Sequence, residues 1–175
     1  IPNIKSESTV FICSFPLNDL PNQNSNKVKI SLREDFRWGK SNVKSTSLLA
    51  NVLYKIQANE ESFDEIILHD NGFITEGAVS NVFCVKDKKV ITPSLQNNIL
   101  PGVTRSVIID IVKKLKIPIL ESRMSVEDLE IADEIWITNT TKGILLVSEI
   151  DQNKVTSAGK IFKKVQEKFI QETLV

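Results

Sequence analysis

Four polar or glycine-bearing segments interrupt otherwise apolar stretches: Lys44-Ser45-Thr46-Ser47, Glu76-Gly77-Ala78-Val79-Ser80-Asn81, Leu100-Pro101-Gly102-Val103-Thr104-Arg105 and Thr138-Asn139-Thr140-Thr141. A lysine amine becomes a nucleophile or a base when a cationic or desolvated pocket depresses its pKa. The start of a helix offers free backbone N–H groups and a positive dipole end to an anion. Taken singly, each segment has a plainer explanation. A lysine before a helix is a surface charge, Glu-Gly after a strand a turn, Gly-Val-Thr a helix cap and a threonine-rich strand end a loop. His69 is the single histidine, so a Ser-His-Asp triad or a histidine metal cluster lacks partners.

The elements around these segments follow from apolar periodicity. Residues 9–15 are β-branched and aromatic and predict a strand, 16–26 a loop, and Val28, Ile30 and Leu32 a second, half-exposed strand. Leu48, Leu49, Val52, Leu53 and Ile56 recur at helical spacing, predicting a helix over 45–59 that buries this stripe, with Lys44 at its amino end. Ile66-Ile67-Leu68 reads as a buried strand within 64–70, closed by a tight Asn71-Gly72 turn, with 73–75 returning before Glu76-Gly77 interrupts. Strands follow over 81–86 and 90–92, around a turn at 87–89. A helix after Pro101-Gly102 carries Val107, Ile108, Ile111, Val112 and Leu115 on its core face and ends at Pro118. A strand over 118–121 precedes a short helix opened by the capping box Ser125-Val126-Glu127-Asp128. Strands at 134–138 and 144–150 flank the threonine segment. A last amphipathic helix over 157–173 buries Ile161, Phe162, Val165 and Phe169. Strands and helices are mixed, which makes the class α/β or α+β.

Composition narrows the function. With Lys+Arg and Asp+Glu both at 22 the formal net charge is zero, which gives no support for nucleic-acid binding. Lys113-Lys114 and Lys163-Lys164 sit in amphipathic patterns and read as solvated helix faces. Hydrophobic residues make up 41%, enough for a sizeable core, yet no apolar run is long enough to span a bilayer. Cys13 and Cys84 form no CxxC pair and read as two buried thiols. Asn139-Thr140-Thr141 matches a glycosylation sequon, but with no signal peptide visible it reads as coincidence.

The order and spacing of the segments change their weight. Six runs stand in sequence: Lys-Ser-x-Ser-Leu-Leu at 44–49, Asp-Glu-Ile-Ile-Leu at 64–68, Glu-Gly-x-x-Ser-Asn-Val-Phe at 76–83, Thr-Pro at 92–93, Ile-Leu-Pro-Gly-Val-Thr-Arg at 99–105, and Ala-Asp-Glu-Ile-Trp-Ile-Thr-Asn-Thr at 132–140. From about Arg37 to Asp151 the chain resembles the class IV, fold-type IV, pyridoxal-phosphate enzymes. These include branched-chain aminotransferases, D-amino-acid aminotransferases and aminodeoxychorismate lyases. The Glu-Gly-x-x-Ser-Asn-Val-Phe run leans towards the D-amino-acid enzymes. Many members carry Asn where this chain has Ser47.

The resemblance implies the large C-terminal domain of such an enzyme, with mixed strands curled into a pseudo-barrel flanked by helices. Residues 1–30 then form a leader or interdomain segment with the first strand, and 31–175 the cofactor-binding domain. The family has a smaller domain before this one. That, with Ile1 in place of an initiator Met, makes a processed or truncated product the expectation. Pyridoxal 5'-phosphate is the implied cofactor, with Lys44 forming the internal aldimine and shuttling the substrate proton. Lys40, inside Gly-Lys-Ser, lies outside the family pattern. Glu76, 32 residues on, takes the place of the acid facing the pyridine nitrogen. Gly102, Val103 and Thr104 would hold the phosphate, and Thr140 would add a hydroxyl. Asn139 and Thr141 would line the substrate side, and Ser80 and Asn81 the ring pocket. Arg37 either lines the site or is a surface arginine. The implied reaction is transamination between an amino acid and a 2-oxo acid, in a cytoplasmic homodimer. Pyruvate release from aminodeoxychorismate on the same scaffold and a catalytically incompetent fragment are the alternatives.

Overall fold

The computed structural model describes residues 9–14, 27–155, 157 and 159–173. In chain order the elements are β1 (Lys27–Glu34), α1 (Leu49–Glu60), β2 (Glu65–Asp70), β3 (Phe73–Gly77), β4 (Asn81–Lys86), β5 (Lys89–Pro93), α2 (Val103–Lys114), β6 (Ile119–Ser122), α3 (Val126–Glu130), β7 (Glu134–Asn139), β8 (Gly143–Ile150), β9 (Asn153–Lys154) and α4 (Lys160–Thr173). The strands join in one mixed sheet, ordered β3-β2-β1-β8-β7-β4-β5-β6, with β9 on β8. β1 runs parallel to β2 and to β8, and β5 parallel to β6, while the other pairs are antiparallel.

Both faces of this sheet are covered, which explains the near-continuous apolar runs in its strands. Successive residues point to opposite faces. Val82, Cys84, Ile135 and Ile137 therefore enter the core inside the curl, with Val28, Ile30, Ile67, Val147 and Met124. Phe83, Val85 and Trp136 point the other way, into a second core closed by Ile108, Ile111 and Val112 of α2 and Phe162 and Val165 of α4. On β2, Ile66 and Leu68 meet Tyr54 and Ala58 of α1 in a third, smaller cluster. The fold is the curled, mixed α/β half-barrel with flanking helices that the resemblance implies.

Local signals hold where the chemistry is local. Asn71 and Gly72 both take positive φ, as a two-residue hairpin requires. Ser125 and Asp128 form the reciprocal capping box. Lys113, Lys114, Lys163 and Lys164 are solvent-exposed.

Five expectations need correction. Residues 9–14 form no strand, and Phe11 and Ile12 are 84% and 88% exposed: β-propensity without a partner leaves backbone groups nothing to pair with. Residues 15–26 of the expected strand end and loop lie outside the described residues. α1 starts at Leu49, and its Leu48, Leu49, Val52, Leu53 and Ile56 stripe is exposed rather than buried. Periodicity says that one face is apolar and not which body covers it. The sheet takes the row Ala50, Tyr54 and Ala58 instead. β3 runs through Glu76-Gly77 rather than stopping before it. Finally, Cys13 is exposed and Cys84 buried, where two buried thiols were expected. α4 starts at Lys160 and buries Phe162 and Val165, with Ile161 and Phe169 only partly covered.

Candidate active site

One cavity of about 420 Å³ gathers most of the chemistry-bearing segments. Its walls come from the loop between β1 and α1, one side of α1, the β3–β4 turn, the tip of α2 and the end of β7. Arg37, Lys44, Glu76, Ser80, Asn81, Gly102, Val103, Thr104, Asn139 and Thr140 all line it. Thr141 lies outside this wall, its hydroxyl donating to Asn139 Oδ1 at 3.1 Å. Lys40 is exposed and also outside the wall.

Glu76 is 4% exposed, and donors converge on its carboxylate. Arg37 Nη1 donates to Oε1 at 2.6 Å and Asn81 Nδ2 to Oε2 at 3.0 Å. The Leu100 N–H lies 3.2 and 3.1 Å from the two oxygens. Burial raises the Glu76 carboxyl above its ordinary value, with Arg37 pulling against that rise. The Arg37 side chain is itself buried, 5% exposed, so it lines the cavity rather than the surface. Burial would lower its pKa, but Asp35 and Glu76 more than offset this and hold it above the ordinary guanidinium value.

Lys44 sits in the irregular loop before α1, exposed at the cavity wall. Among the described residues its amine makes no hydrogen bond or ion pair, so it is free to meet a group within the cavity. Ser80 turns its hydroxyl away, donating to Glu65 Oε2 at 3.1 Å beneath the β3–β4 turn. Asn139 mainly stitches the β7–β8 turn, accepting from Lys142 N at 2.7 Å.

The tip of α2 carries no side-chain cap. A Cβ on Gly102 would lie 2.1 Å from Asn81 Oδ1, so the glycine is what lets the Asn81 side chain pack directly against the helix tip. Beside it, Thr138 is 2% exposed, lines the cavity, and has an Oγ1 without a hydrogen-bond partner among the described residues. Unpaired buried hydroxyls cost free energy. An anion accepting from this hydroxyl and from the α2 N–H groups would remove that cost.

Sequence reasoning named Thr138 and Leu100 only within their segments and gave them no role, and it missed Asp35 and, on the α1 wall, Asn51 and Lys55. Asp35 had a visible signal, an acid two residues from Arg37. Thr138 had a weaker one, a hydroxyl on an apolar strand.

Comparison with known proteins follows the same lines. Residues 3–150 match the family model for amino-transferase class IV. A D-alanine aminotransferase of Listeria monocytogenes is 39% identical over 141 residues, 79% of this chain and 49% of that protein. The solved branched-chain aminotransferase of Thermoproteus uzoniensis with norvaline superposes with a TM-score of 0.79 at 30% identity, over 85% of this chain and 52% of that one. The branched-chain aminotransferase of Escherichia coli does so with a TM-score of 0.74 at 29% identity, covering 83% and 52%. The chain spans about half the length of the curated relatives it matches. With residues 3–150 inside the family model, the chain belongs to the class IV aminotransferases.

Proposed function

We propose that the protein containing this chain is a pyridoxal-phosphate-dependent aminotransferase, moving an amino group between an amino acid and a 2-oxo acid. The observation that carries the reading is the convergence of an unpaired lysine amine, a buried carboxylate and an uncapped helix tip on one cavity. The residues present fit the cofactor. The uncapped tip of α2 and the orphaned Thr138 hydroxyl suit a phosphate, and Glu76 suits a protonated ring nitrogen. Bound there, the cofactor supplies an electron sink for the substrate α-carbon.

Lys44 would be the amine that holds the cofactor at its aldehyde and that moves the proton of the substrate α-carbon. Glu76 would accept from the ring nitrogen, with Arg37 and Asn81 aiming its carboxylate. The backbone of Gly102, Val103 and Thr104 would hold the phosphate, with hydroxyls from Thr104, Thr138 and Thr140 lining the same cavity. Asn139 lines the substrate side.

The test uses the natural full-length protein. Loaded with pyridoxal phosphate, reduced with borohydride and digested, it is expected to yield one labelled peptide, carrying the adduct on Lys44. Lys44→Ala should abolish labelling and reduce turnover on the order of a thousandfold or more. An adduct on another lysine, with turnover surviving Lys44→Ala, defeats the assignment.

A further inference from the structure

Asp35 contributes no atom to the cavity wall, yet the charged chain ending on Glu76 starts there. Arg37 N and Nε both donate to its Oδ1 at 3.0 Å, and Arg37 Nη2 to its Oδ2 at 2.8 Å. Thr75 Oγ1 also donates to Oδ2 at 2.8 Å. A guanidinium held at Nε and Nη2 has its plane fixed, because the fork is rigid. The remaining Nη1 then has one direction to point, and it meets Glu76 Oε1. Thr75 and Glu76 are neighbours on β3, which ends the row of strands, and adjacent side chains leave a strand on opposite faces. The Asp35–Arg37 pair therefore straddles this strand, one end on Thr75 and the other on Glu76. Among the described residues the Arg37 side chain has hydrogen-bond partners only in Asp35 and Glu76, so Asp35 is what fixes the end away from Glu76.

We infer that Asp35 is a positioning residue, acting through Arg37 to hold the Glu76 carboxylate in place and ionised. The inference deepens the aminotransferase reading, in which Glu76 faces the cofactor ring. The contact chain itself belongs to the protein without cofactor. The charged groups around Glu76 are Asp35, Arg37 and Lys44 of the β1–α1 loop, Lys55 on α1 and Glu65 on β2 beneath the turn.

Two effects of Asp35 on Glu76 have opposite signs, which makes the inference decidable. As a nearby negative charge, Asp35 pushes the Glu76 carboxyl up, so its removal alone would bring Glu76 down. As the anchor of Arg37 it keeps a cation on Glu76, so its removal would send Glu76 up. Asp35→Asn keeps the shape but replaces one acceptor by a donor facing Arg37 Nη2, which releases the fork.

The experiment titrates the Glu76 side-chain carboxyl by carbon-detected NMR in the full-length, cofactor-free protein. Asp35→Asn is expected to raise its midpoint, and Thr75→Val, which changes no charge, to raise it less. Both should weaken uptake of pyridoxal phosphate, Asp35→Asn about tenfold. Combined with Arg37→Met, Asp35→Asn should add no further rise. A midpoint that falls or stays in Asp35→Asn overturns the inference, as does an equal rise in the Arg37→Met background. Should Asp35→Asn not fold, Thr75→Val decides alone, an unmoved midpoint being the negative result. Failure of the aminotransferase reading shows separately, as absence of the Lys44 adduct, and leaves the titration interpretable.

Discussion

Two carboxylates near the β3–β4 turn are withdrawn from water, Glu65 and Glu76, and burial raises both above the usual glutamate range. A raised carboxyl is neutral in the folded chain at a pH where the unfolded chain is still charged. Its ionised form therefore destabilises the fold at neutral pH, and that penalty fades as pH falls through the raised folded value towards the ordinary one. Glu65 keeps its place by accepting from Ile66 N and Ser80 Oγ, with Lys55 3.9 Å away. Glu65→Gln keeps the size and removes the buried charge. It should raise the urea midpoint at pH 7, and the gap to the parent should close as pH is lowered through that window; a gap constant with pH would contradict this. Asp35 behaves in the opposite sense. Burial works against it, but Arg37 and Thr75 hold it below the ordinary range, so its contribution is present at neutral pH and lost only in stronger acid. Cys84, pushed up to about 12 by burial, stays a thiol throughout. Lys44, Glu76 and the Gly102–Thr104 tip were legible in the sequence because each stands inside a run whose order is diagnostic. Asp35 and Thr138 left only faint signals there, since their importance comes from which atoms the fold leaves beside them.

Among the elements, α4 shows how a helix end can be fixed from far along the chain. Glu134, at the start of β7, accepts from Ile161 N through Oε1 at 2.9 Å and from Phe162 N through Oε2 at 2.8 Å. The indole Nε1 of Trp136 lies 3.2 Å from the same Oε2. A carboxylate at a helix start satisfies free N–H groups and complements the dipole. Glu134→Ala would leave three donors without their acceptor and should lower stability by about 2 kcal/mol or more, read as a lower urea midpoint with altered tryptophan fluorescence. Unchanged stability would show that other acceptors replace it. No sequence pattern announces a cap 27 residues away, whereas the Ser125 box, closed within four residues, was readable at once. The strands were readable for the same reason: Ile135, Trp136 and Ile137 are all buried because each side of the sheet has its own core. For α1 the period was right and the covered face wrong. Tyr54 anchors it, donating to Glu34 O at 2.6 Å and accepting from Phe36 N at 2.9 Å.

At the scale of the molecule, the sheet supports a cavity that it does not close. The loop before α1 and the outer rows of α1 face water, and the chain spans about half the length of its curated relatives. Positioning of reacting groups is sensitive to small displacements and to water entry. The 175 residues alone should therefore turn over roughly a hundredfold more slowly than the full-length protein. Comparable rates in a side-by-side assay would show that the open cavity is sufficient. Leu49 and Leu53 are 74% and 46% exposed on the outward side of α1, while Asn51 and Lys55, each two positions on, face the cavity. Burying an aliphatic side chain completely is worth roughly 1.5–3 kcal/mol. A surface laid over that outward row would clamp the helix against β2, and the inner row would stiffen with it. One dressing for that bare rod would thus hide its grease from water and steady what it turns inward.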